Sequence, residues 1–299
     1  MKQLLVLVIA LCLTPLLAAN AAEYGVAVTA TPVLNTPDFK AVFGGARGAE
    51  LKTDRCGQVR ELEYIALPGT VFTILKKLQS APNTIYQVAT DGYTAPPNTR
   101  LYIDSRFLRM EPTAVPQRQA SLPSHEAIAS TLKAAVGNRY VWGGNVPGGV
   151  PELPAWFYKG IREEEINRFI LAGLDCSGLL YHATNGLTPR NTAQLLMYGQ
   201  GVTIAGKSSG EIPLLLQPLD LIVWNGHVVI VLDQQSAIES RLECSKPGNG
   251  GVVITPLSQR IAEIMRTRHP VNAWPTGKKL NDIFVVRRWY DESKTILEN

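Results

Sequence analysis

The sequence predicts an α+β protein, in which a small all-β region precedes a larger domain of helices and antiparallel strands. Three observations support this class. Short apolar runs alternate with proline and glycine over residues 24–110. Helix signals then begin at Ser124 and near Cys176. Beyond residue 219, strand-like runs follow one another, and Asn225-Gly226 between two of them is a strong hairpin signal.

The N-terminal region contains several short strand candidates in fewer than about 90 residues, a pattern typical of a small barrel. The run over 102–108 resembles the closing strand and turn of bacterial SH3-like domains. We therefore predict an SH3-like domain over 22–111 and, from three prolines, a linker over 112–123. The strand candidates are 26–30, 71–75, 85–88 and 101–103.

The second domain is predicted over 124–299 and begins with a helix. Ser124 is a suitable N-cap, Ile128 and Leu132 lie on one apolar face, and Gly137 ends the helix. Further helices are expected over 176–183, 191–198 and 258–266, and strands over 219–224, 227–232, 237–239, 252–254 and 283–286.

The first 21 residues have the features of a signal peptide. Lys2 precedes an apolar run over 4–19, and small residues at Ala19 and Ala21 fit cleavage near Ala21. We expect a periplasmic or secreted protein with no stable membrane insertion after cleavage; the alternative is an uncleaved anchor. The net charge of +4 without a Lys/Arg run argues against nucleic acid as a partner.

The cysteine count leaves an unpaired thiol. Without Cys12 of the signal peptide, the cysteines are Cys56, Cys176 and Cys244, an odd number. Cys56 and Cys244 could form a disulfide that leaves Cys176 free, or all three could be thiols, because sequence does not supply the geometry of a bridge. The histidines and cysteines lack the spacing of metal ligands, so we expect no metal and no cofactor.

Cys176 and His227 are the candidate nucleophile and base. Cys176 lies where a loop enters a helix, and the N-terminus of a helix favours a thiolate there; the alternative is a small core residue. His227 opens an apolar strand directly after the hairpin turn and could face a cleft. The positions of His125, His182 and His269 suit structural or surface roles better.

Glu239 is the candidate third member. It lies 12 residues after His227 on the next strand candidate, and an even separation allows both side chains on one sheet face, as opposite or diagonal neighbours. Its carboxylate could orient the imidazole. The alternative is a surface glutamate beside Arg241.

Five short motifs occur in an order that resembles the NlpC-type cell-wall peptidases of the NlpC/p-sixty superfamily. The resemblance covers about residues 124–239 and fades beyond them. The motifs are YVWGG at 140–144, DCSG at 175–178, PRNTA at 189–193, LDLIVW at 219–224 and GHV at 226–228.

The resemblance implies a papain-like fold and cleavage of peptide bonds in peptidoglycan stem peptides. Similar proteins with SH3-like domains cut between γ-D-glutamate and a diamino acid in peptides with a free N-terminus. Cys176 and His227 fall on the family's nucleophile and base. Asp175 and Ser177 fall on residues that help bind the substrate's amine, and Tyr140 on a tyrosine that lines the site. The implied partners are peptidoglycan or murein peptides, and a monomer is favoured.

Three features depart from the family pattern. Glu239 stands where the family usually has His and sometimes Asn or Gln. Residues 145–172 form a long insertion that lines or covers the cleft or, alternatively, is a peripheral excursion. Residues 244–281 have no counterpart. The predicted function is an exported cysteine endopeptidase; the alternatives are an amidase or acyltransferase on the same core and an inactive wall-binding protein.

Overall fold

The computed structural model describes residues 23–80, 83–244, 246–277 and 280–290. The predicted signal peptide over 1–21 lies outside them. Within these ranges, no helix is long and apolar enough to cross a membrane. Each half of the chain contributes one large, mainly antiparallel sheet, and helices are concentrated in the second half. The structure thus has the mixed helical and antiparallel character that the sequence predicts.

The N-terminal half forms a seven-stranded antiparallel sheet in the order β5-β2-β8-β7-β6-β1-β9. The strands predicted at 71–75, 85–88 and 101–103 lie within β6, β7 and β8, whereas β2 and β5 were not predicted. The elements are β1 Glu23–Ala27, β2 Thr31–Leu34, α1 Phe39–Val42, β3 Phe43–Gly44, β4 Glu50–Leu51, β5 Leu62–Ala66, β6 Val71–Ser80, β7 Asn83–Ala89, β8 Leu101–Asp104, a 3-10 turn Ser105–Phe107 and β9 Leu108–Glu111.

The second half forms another seven-stranded sheet in the order β12-β18-β13-β14-β15-β16, with β17 parallel to β18. Its elements are α2 His125–Ala134, β10 Asn145–Val146, α3 Leu153–Phe157, a 3-10 turn Glu163–Glu165, α4 Ile166–Phe169, β11 Gly173–Leu174, α5 Cys176–Ala183, α6 Thr192–Leu195, β12 Gln200–Gly201, α7 Ile212–Leu215, β13 Leu221–Trp224, β14 His227–Val231, β15 Ser236–Leu242, a 3-10 turn Pro247–Asn249, β16 Gly250–Pro256, α8 Leu257–Met265, β17 His269–Pro270 and β18 Ile283–Arg288.

The helix-start and turn signals in the sequence explain where several of these elements begin and end. Ser124 caps α2 by accepting a hydrogen bond from Ala127 N at 3.2 Å. The predicted helix over 176–183 coincides with α5. At the β13–β14 turn, Gly226 has a φ of +86°, a conformation that glycine adopts without the steric cost of a side chain.

Side chains alternate across the second sheet and bury both of its faces. Leu221 and Val223 of β13 belong to the apolar cluster formed with α2 and α5. Ile222 and Trp224 point the other way, into the cluster formed with α7 and α8. The sheet is therefore a middle layer, and a side chain's parity along a strand determines which helices it meets.

The insertion over 145–172 packs against the N-terminal half. Leu153, Tyr158 and Phe169 share one buried cluster with the N-terminal core. The ring of Trp156 lies 4.5 Å from that of Phe107, centroid to centroid. Its apolar side chains thus form part of the contact between the two halves, and a position lining or covering the cleft stays a prediction.

A disulfide also joins the two halves. Cys56 and Cys244, 188 residues apart, are bridged, which leaves Cys176 as a free and buried cysteine. Close to the bridge, Asn249 Nδ2 donates to Cys56 O at 2.8 Å. The bridge ties the loop before β5 to the segment after β15.

Removing the bridge is expected to destabilise the protein. Changing Cys56 and Cys244 together to serine should lower the free energy of unfolding by about 2–4 kcal/mol, because the unfolded chain regains the freedom that a long closed loop removes. Urea unfolding measures the change. The control is a reductant, which should destabilise the wild type and leave the double variant unaffected; equal urea midpoints for the oxidised proteins would contradict the prediction.

Candidate active site

Cys176 is the first residue of α5. The Asp175 carboxylate caps this helix, with Oδ1 accepting from Gly178 N at 2.7 Å. The Cys176 side chain is buried, and its Sγ lies 3.9 Å from the carbonyl oxygen of Gly226 in the hairpin turn. The thiol therefore lies at the first turn of a helix, where free N–H groups and the helix dipole favour negative charge.

The start of α5 packs tightly against the loop that ends the YVWGG motif. A Cβ at position 178 would lie 2.0 Å from Gly144 O, so only glycine fits there without displacing the backbone. Asp175 N also donates to Gly144 O at 2.9 Å. This close contact fixes the position of Cys176 relative to Tyr140, which precedes the same loop.

His227 lies between Cys176 and Glu239. Its Nε2 is 2.7 Å from Glu239 Oε2, and Cys176 is close enough to raise the pKa of its ring. The pairing of Ile230 with Ile238, continued along β14 and β15, makes Glu239 a diagonal neighbour of His227. The imidazole therefore neighbours both the cysteine and the carboxylate.

Glu239 is almost fully buried, with 1% of its side chain exposed. Arg260 of α8 approaches both of its oxygens: Nε lies 2.7 Å from Oε1 and Nη2 lies 2.9 Å from Oε2. Arg241 is more distant, with Nη1 3.9 Å from Oε1. The alternative of a surface glutamate does not fit this burial. No sequence pattern indicated Arg260, although the helix on which it lies was predicted.

The charges around His227 favour a protonated imidazole. Burial opposes the imidazolium, but the neighbouring Cys176 and Glu239 outweigh it and raise the pKa of His227 to about 9. Burial also acts to raise the pKa of Glu239, yet hydrogen bonds and charges from His227 and Arg260 lower it overall. At neutral pH a pKa of about 9 places His227 in its imidazolium form, and a neighbouring cation is one of the features that activate a cysteine nucleophile.

Tyr140 lies near the thiol and keeps its proton. Burial, followed by the charges of Cys176 and Asp175, raises its pKa well above the ordinary value for tyrosine. Its side chain is mostly buried. The phenol is therefore a hydroxyl group that can donate a hydrogen bond beside Cys176.

The polar groups of Asp175 and Ser177 are engaged within the protein. Arg190 Nη1 and Nη2 donate to the two oxygens of Asp175 at 3.0 and 2.7 Å, and Gly143 N adds a bond to Oδ2 at 3.0 Å. Arg190 Nη1 also donates to Ser177 Oγ at 2.9 Å. These contacts fix the start of α5. The family resemblance implies that Asp175 and Ser177 bind a substrate amine. Such an amine would have to share their oxygen atoms with Arg190.

Arg190 also connects the site to the N-terminal sheet. Its Nε donates to Asn145 Oδ1 at 3.1 Å. The Asn145 side chain in turn pairs with the backbone of Ile65 in β5, accepting at 3.0 Å and donating at 2.8 Å. Arg190 occurs in one of the five sequence motifs, but its role as a buried link could not be read from that motif.

Substitutions at Glu239 and Arg260 should move the His227 titration in opposite directions. Glu239→Gln removes the anion that favours the imidazolium, so the pKa of His227 should fall from about 9 by about one unit or more. Arg260→Met removes a nearby cation, so the pKa should rise. NMR titration of the imidazole measures both.

The matching control is Glu164→Gln, which changes an exposed carboxylate of the insertion and should leave the midpoint unchanged. The same shifts predict the pH dependence of stability. Because the pKa of His227 is raised in the folded protein, protonation of His227 stabilises the folded state. This contribution is fully present below about pH 6.5, the usual pKa of histidine, and is lost as pH rises through about 9. A His227 midpoint that is equal in all four proteins would contradict this arrangement.

Comparison with known proteins gives structural neighbours only. No protein-family model and no curated protein matches the sequence. An NlpC/P60 family protein from Bacillus cereus is 16% identical with a TM-score of 0.33; the match covers 90% of this chain and 64% of that protein. This chain thus spans less than two thirds of that neighbour.

Two mycobacterial structures are also similar. The P60 domain of an antigen from M. avium subspecies paratuberculosis is 19% identical with a TM-score of 0.31, over 55% of this chain and 93% of that domain. RipD from Mycobacterium tuberculosis, described as a non-catalytic NlpC/p60 domain protein adapted to peptidoglycan binding, is 20% identical with a TM-score of 0.29, over 44% of this chain and 92% of that one. At these identities, function has to be inferred from the site's own residues.

Proposed function

We propose that the protein is an exported cysteine endopeptidase of the NlpC type that hydrolyses peptidoglycan stem peptides, at the bond between γ-D-glutamate and a diamino acid. The observation that carries the proposal is the group formed by Cys176, His227 and buried Glu239, in which Cys176 acts on the His227 ring and 2.7 Å separates His227 Nε2 from Glu239 Oε2. This arrangement meets the requirements of an activated cysteine nucleophile. The predicted signal peptide supports work in the periplasm or outside the cell.

In the proposed reaction, the Cys176 thiolate attacks the carbonyl carbon of the γ-amide and forms a C–S bond. Free N–H groups at the start of α5, with the Tyr140 hydroxyl beside them, are suited to hold the developing oxyanion. The His227 imidazolium gives its proton to the amide nitrogen as the C–N bond breaks, which releases the diamino acid.

Water then completes the cycle. His227, now neutral, takes a proton from the water molecule that attacks the thioester, and the C–S bond breaks. The peptide leaves with a new γ-carboxylate on its glutamate, and the thiolate–imidazolium pair is restored. Glu239, held by Arg260, keeps the imidazole oriented in both steps.

In this proposal the N-terminal region acts as an SH3-like domain that narrows the approach to the site and selects short peptides with a free amine, and its contacts with a segment beside Arg190 support this role. Asn191 of the PRNTA motif donates through Nδ2 to Thr94 O at 2.7 Å. Tyr93 Oη lies 3.4 Å from Asn191 Oδ1. These contacts bring a loop of the N-terminal half against Asn191, the residue after Arg190.

Digestion of defined muropeptides tests the proposal. The tripeptide L-alanyl-γ-D-glutamyl-diamino acid should release the free diamino acid, and the same peptide with its amine acetylated should react more slowly. Mass spectrometry identifies the products. Cleavage at another amide or transfer of an acyl group would favour the amidase or acyltransferase alternative. Binding of wall without any product would favour the inactive wall-binding alternative.

A further inference from the structure

A cavity that none of the candidate site residues lines lies between residues 39–48 of the N-terminal half and the insertion. It has a volume of about 280 Å³ and is lined by residues within 39–48, by Asn83, Ile85 and Asp104, and by Trp156, Phe157 and Lys159. Its size is at the lower end of small-molecule pockets, roughly 300 Å³. A single sugar or similar small molecule would fill it.

Aromatic rings form one wall of this cavity, and the ion pair between Arg106 and the lining residue Asp104 lies against them. Trp156 and Phe157 are partly exposed. The guanidinium of Arg106 lies 4.7 Å from the Trp156 ring and 4.6 Å from the Phe157 ring. Arg106 is itself paired with buried Asp104 at 2.7 Å. The aromatic wall is therefore built before any ligand arrives.

The rim carries an excess of positive charge. Lys40, Arg47 and Lys159 are exposed, and among the described residues none of them has a carboxylate within the 4.0 Å of an ion pair. The acidic groups at the cavity are Asp104, which Arg106 neutralises, and Glu50, whose carboxylate lies beside Gly45. Among the described residues, three cations without an ion-pair partner therefore lie around the cavity, together with one such carboxylate, that of Glu50.

The two walls are joined by their backbones. Lys159 N donates to Gly48 O at 2.6 Å. Gly44, with a φ of +97°, lies so close to Phe157 O that a Cβ would be 2.2 Å away. Because neither wall can move independently, the cavity is formed in advance, which lowers the entropy cost of binding a ligand.

We propose that this cavity binds an anionic sugar, a single ring that carries a carboxylate or a phosphate. The apolar face of the ring would lie on Trp156 and Phe157, since aromatic side chains offer rigid apolar surface. The anionic group would face Lys40, Arg47 and Lys159, which can donate charge-assisted hydrogen bonds. This binding site is separate from Cys176 and does not depend on the proposed hydrolysis.

Calorimetric titration of the full chain tests the proposal with three probes: N-acetylmuramic acid, N-acetylglucosamine 1-phosphate and neutral N-acetylglucosamine. At least one anionic probe should bind at least about tenfold more tightly than the neutral sugar, and more weakly as salt is added. Whichever of the two binds identifies the source of the charge. Failure of both anionic probes to bind would overturn the proposal, as would equal binding of all three.

Matched variants locate the site. Arg47→Gln combined with Lys159→Gln should weaken binding of the anionic probe at least about tenfold, because two of the exposed rim cations are lost. Lys77→Gln changes an exposed lysine of β6 that does not line the cavity, and it should bind like the wild type. Cys176→Ala should also bind normally, which separates this proposal from the proposed reaction. Unchanged binding by the rim double variant would overturn the assignment.

Discussion

Replacing Cys176 by alanine is expected to lower the rate of diamino acid release from a murein tripeptide by at least about a thousandfold. The reason is chemical: without the thiolate, no atom of the site can form the covalent intermediate, and the His227–Glu239 pair has nothing to activate. Any remaining rate in the alanine variant would come only from the way the site positions the substrate and water. The measurement is product formation under saturating tripeptide, followed by mass spectrometry.

The fold of this variant provides the control. Cys176 is a small buried side chain, so alanine should leave the unfolding midpoint close to that of the wild type. Labelling with a thiol probe at neutral pH should mark Cys176 in the wild type, because Cys56 and Cys244 are bridged. A folded alanine variant that still releases the diamino acid at the wild-type rate would refute the proposed mechanism.

Replacing Arg190 by methionine is expected to lower the free energy of unfolding by about 3–5 kcal/mol, because it leaves a buried carboxylate without its partner. Asp175 would keep its bonds to backbone N–H groups but lose both guanidinium contacts, at 2.7 and 3.0 Å. Asn145 and Ser177 would each lose a donor. Urea unfolding measures the change.

Two further variants calibrate this result. Arg162→Met removes ion pairs with the exposed side chain of Glu164 and with Glu165, and surface pairs of this kind contribute only about 0–1 kcal/mol. Arg190→Lys keeps the charge but loses the bidentate contact with Asp175. Its loss of stability should therefore lie between those of Arg162→Met and Arg190→Met. A loss for Arg190→Met no larger than that for Arg162→Met would show that the buried network contributes little to stability.

Local signals made much of the structure predictable. The helix over 176–183 could be predicted because the residues that start and end it directly flank it in the sequence. The observed helix α5 has the same bounds. The β13–β14 hairpin follows from Asn225-Gly226 between two apolar runs. The even spacing of His227 and Glu239 was enough to suggest one sheet face. Each of these inferences depends on neighbours along the chain or on strand periodicity.

Other contacts could not be found in this way, because their partners are distant in sequence. Arg260 reaches Glu239 only because α8 covers one face of the second sheet. Asn145 and Ile65 are 80 residues apart, and no periodicity links a side-chain amide to a particular backbone pair. The strand β2 was missed because it is short and contains Pro32, a residue that usually argues against a strand.

The disulfide has a consequence for how the protein keeps the Cys176 thiol free. Oxidation of Cys56, Cys176 and Cys244 allows three pairings, and two of these would use up Cys176. The native bridge spans 188 residues, the widest separation of the three, so an unfolded chain would form it least readily by chance. Correct oxidation therefore has to follow folding: burial of Cys176 in α5 protects the nucleophile while the other two thiols are brought together. Refolding from the reduced chain should leave the Cys176 thiol free when oxidant is added late, and should give isomers bridged through Cys176 when it is present from the start.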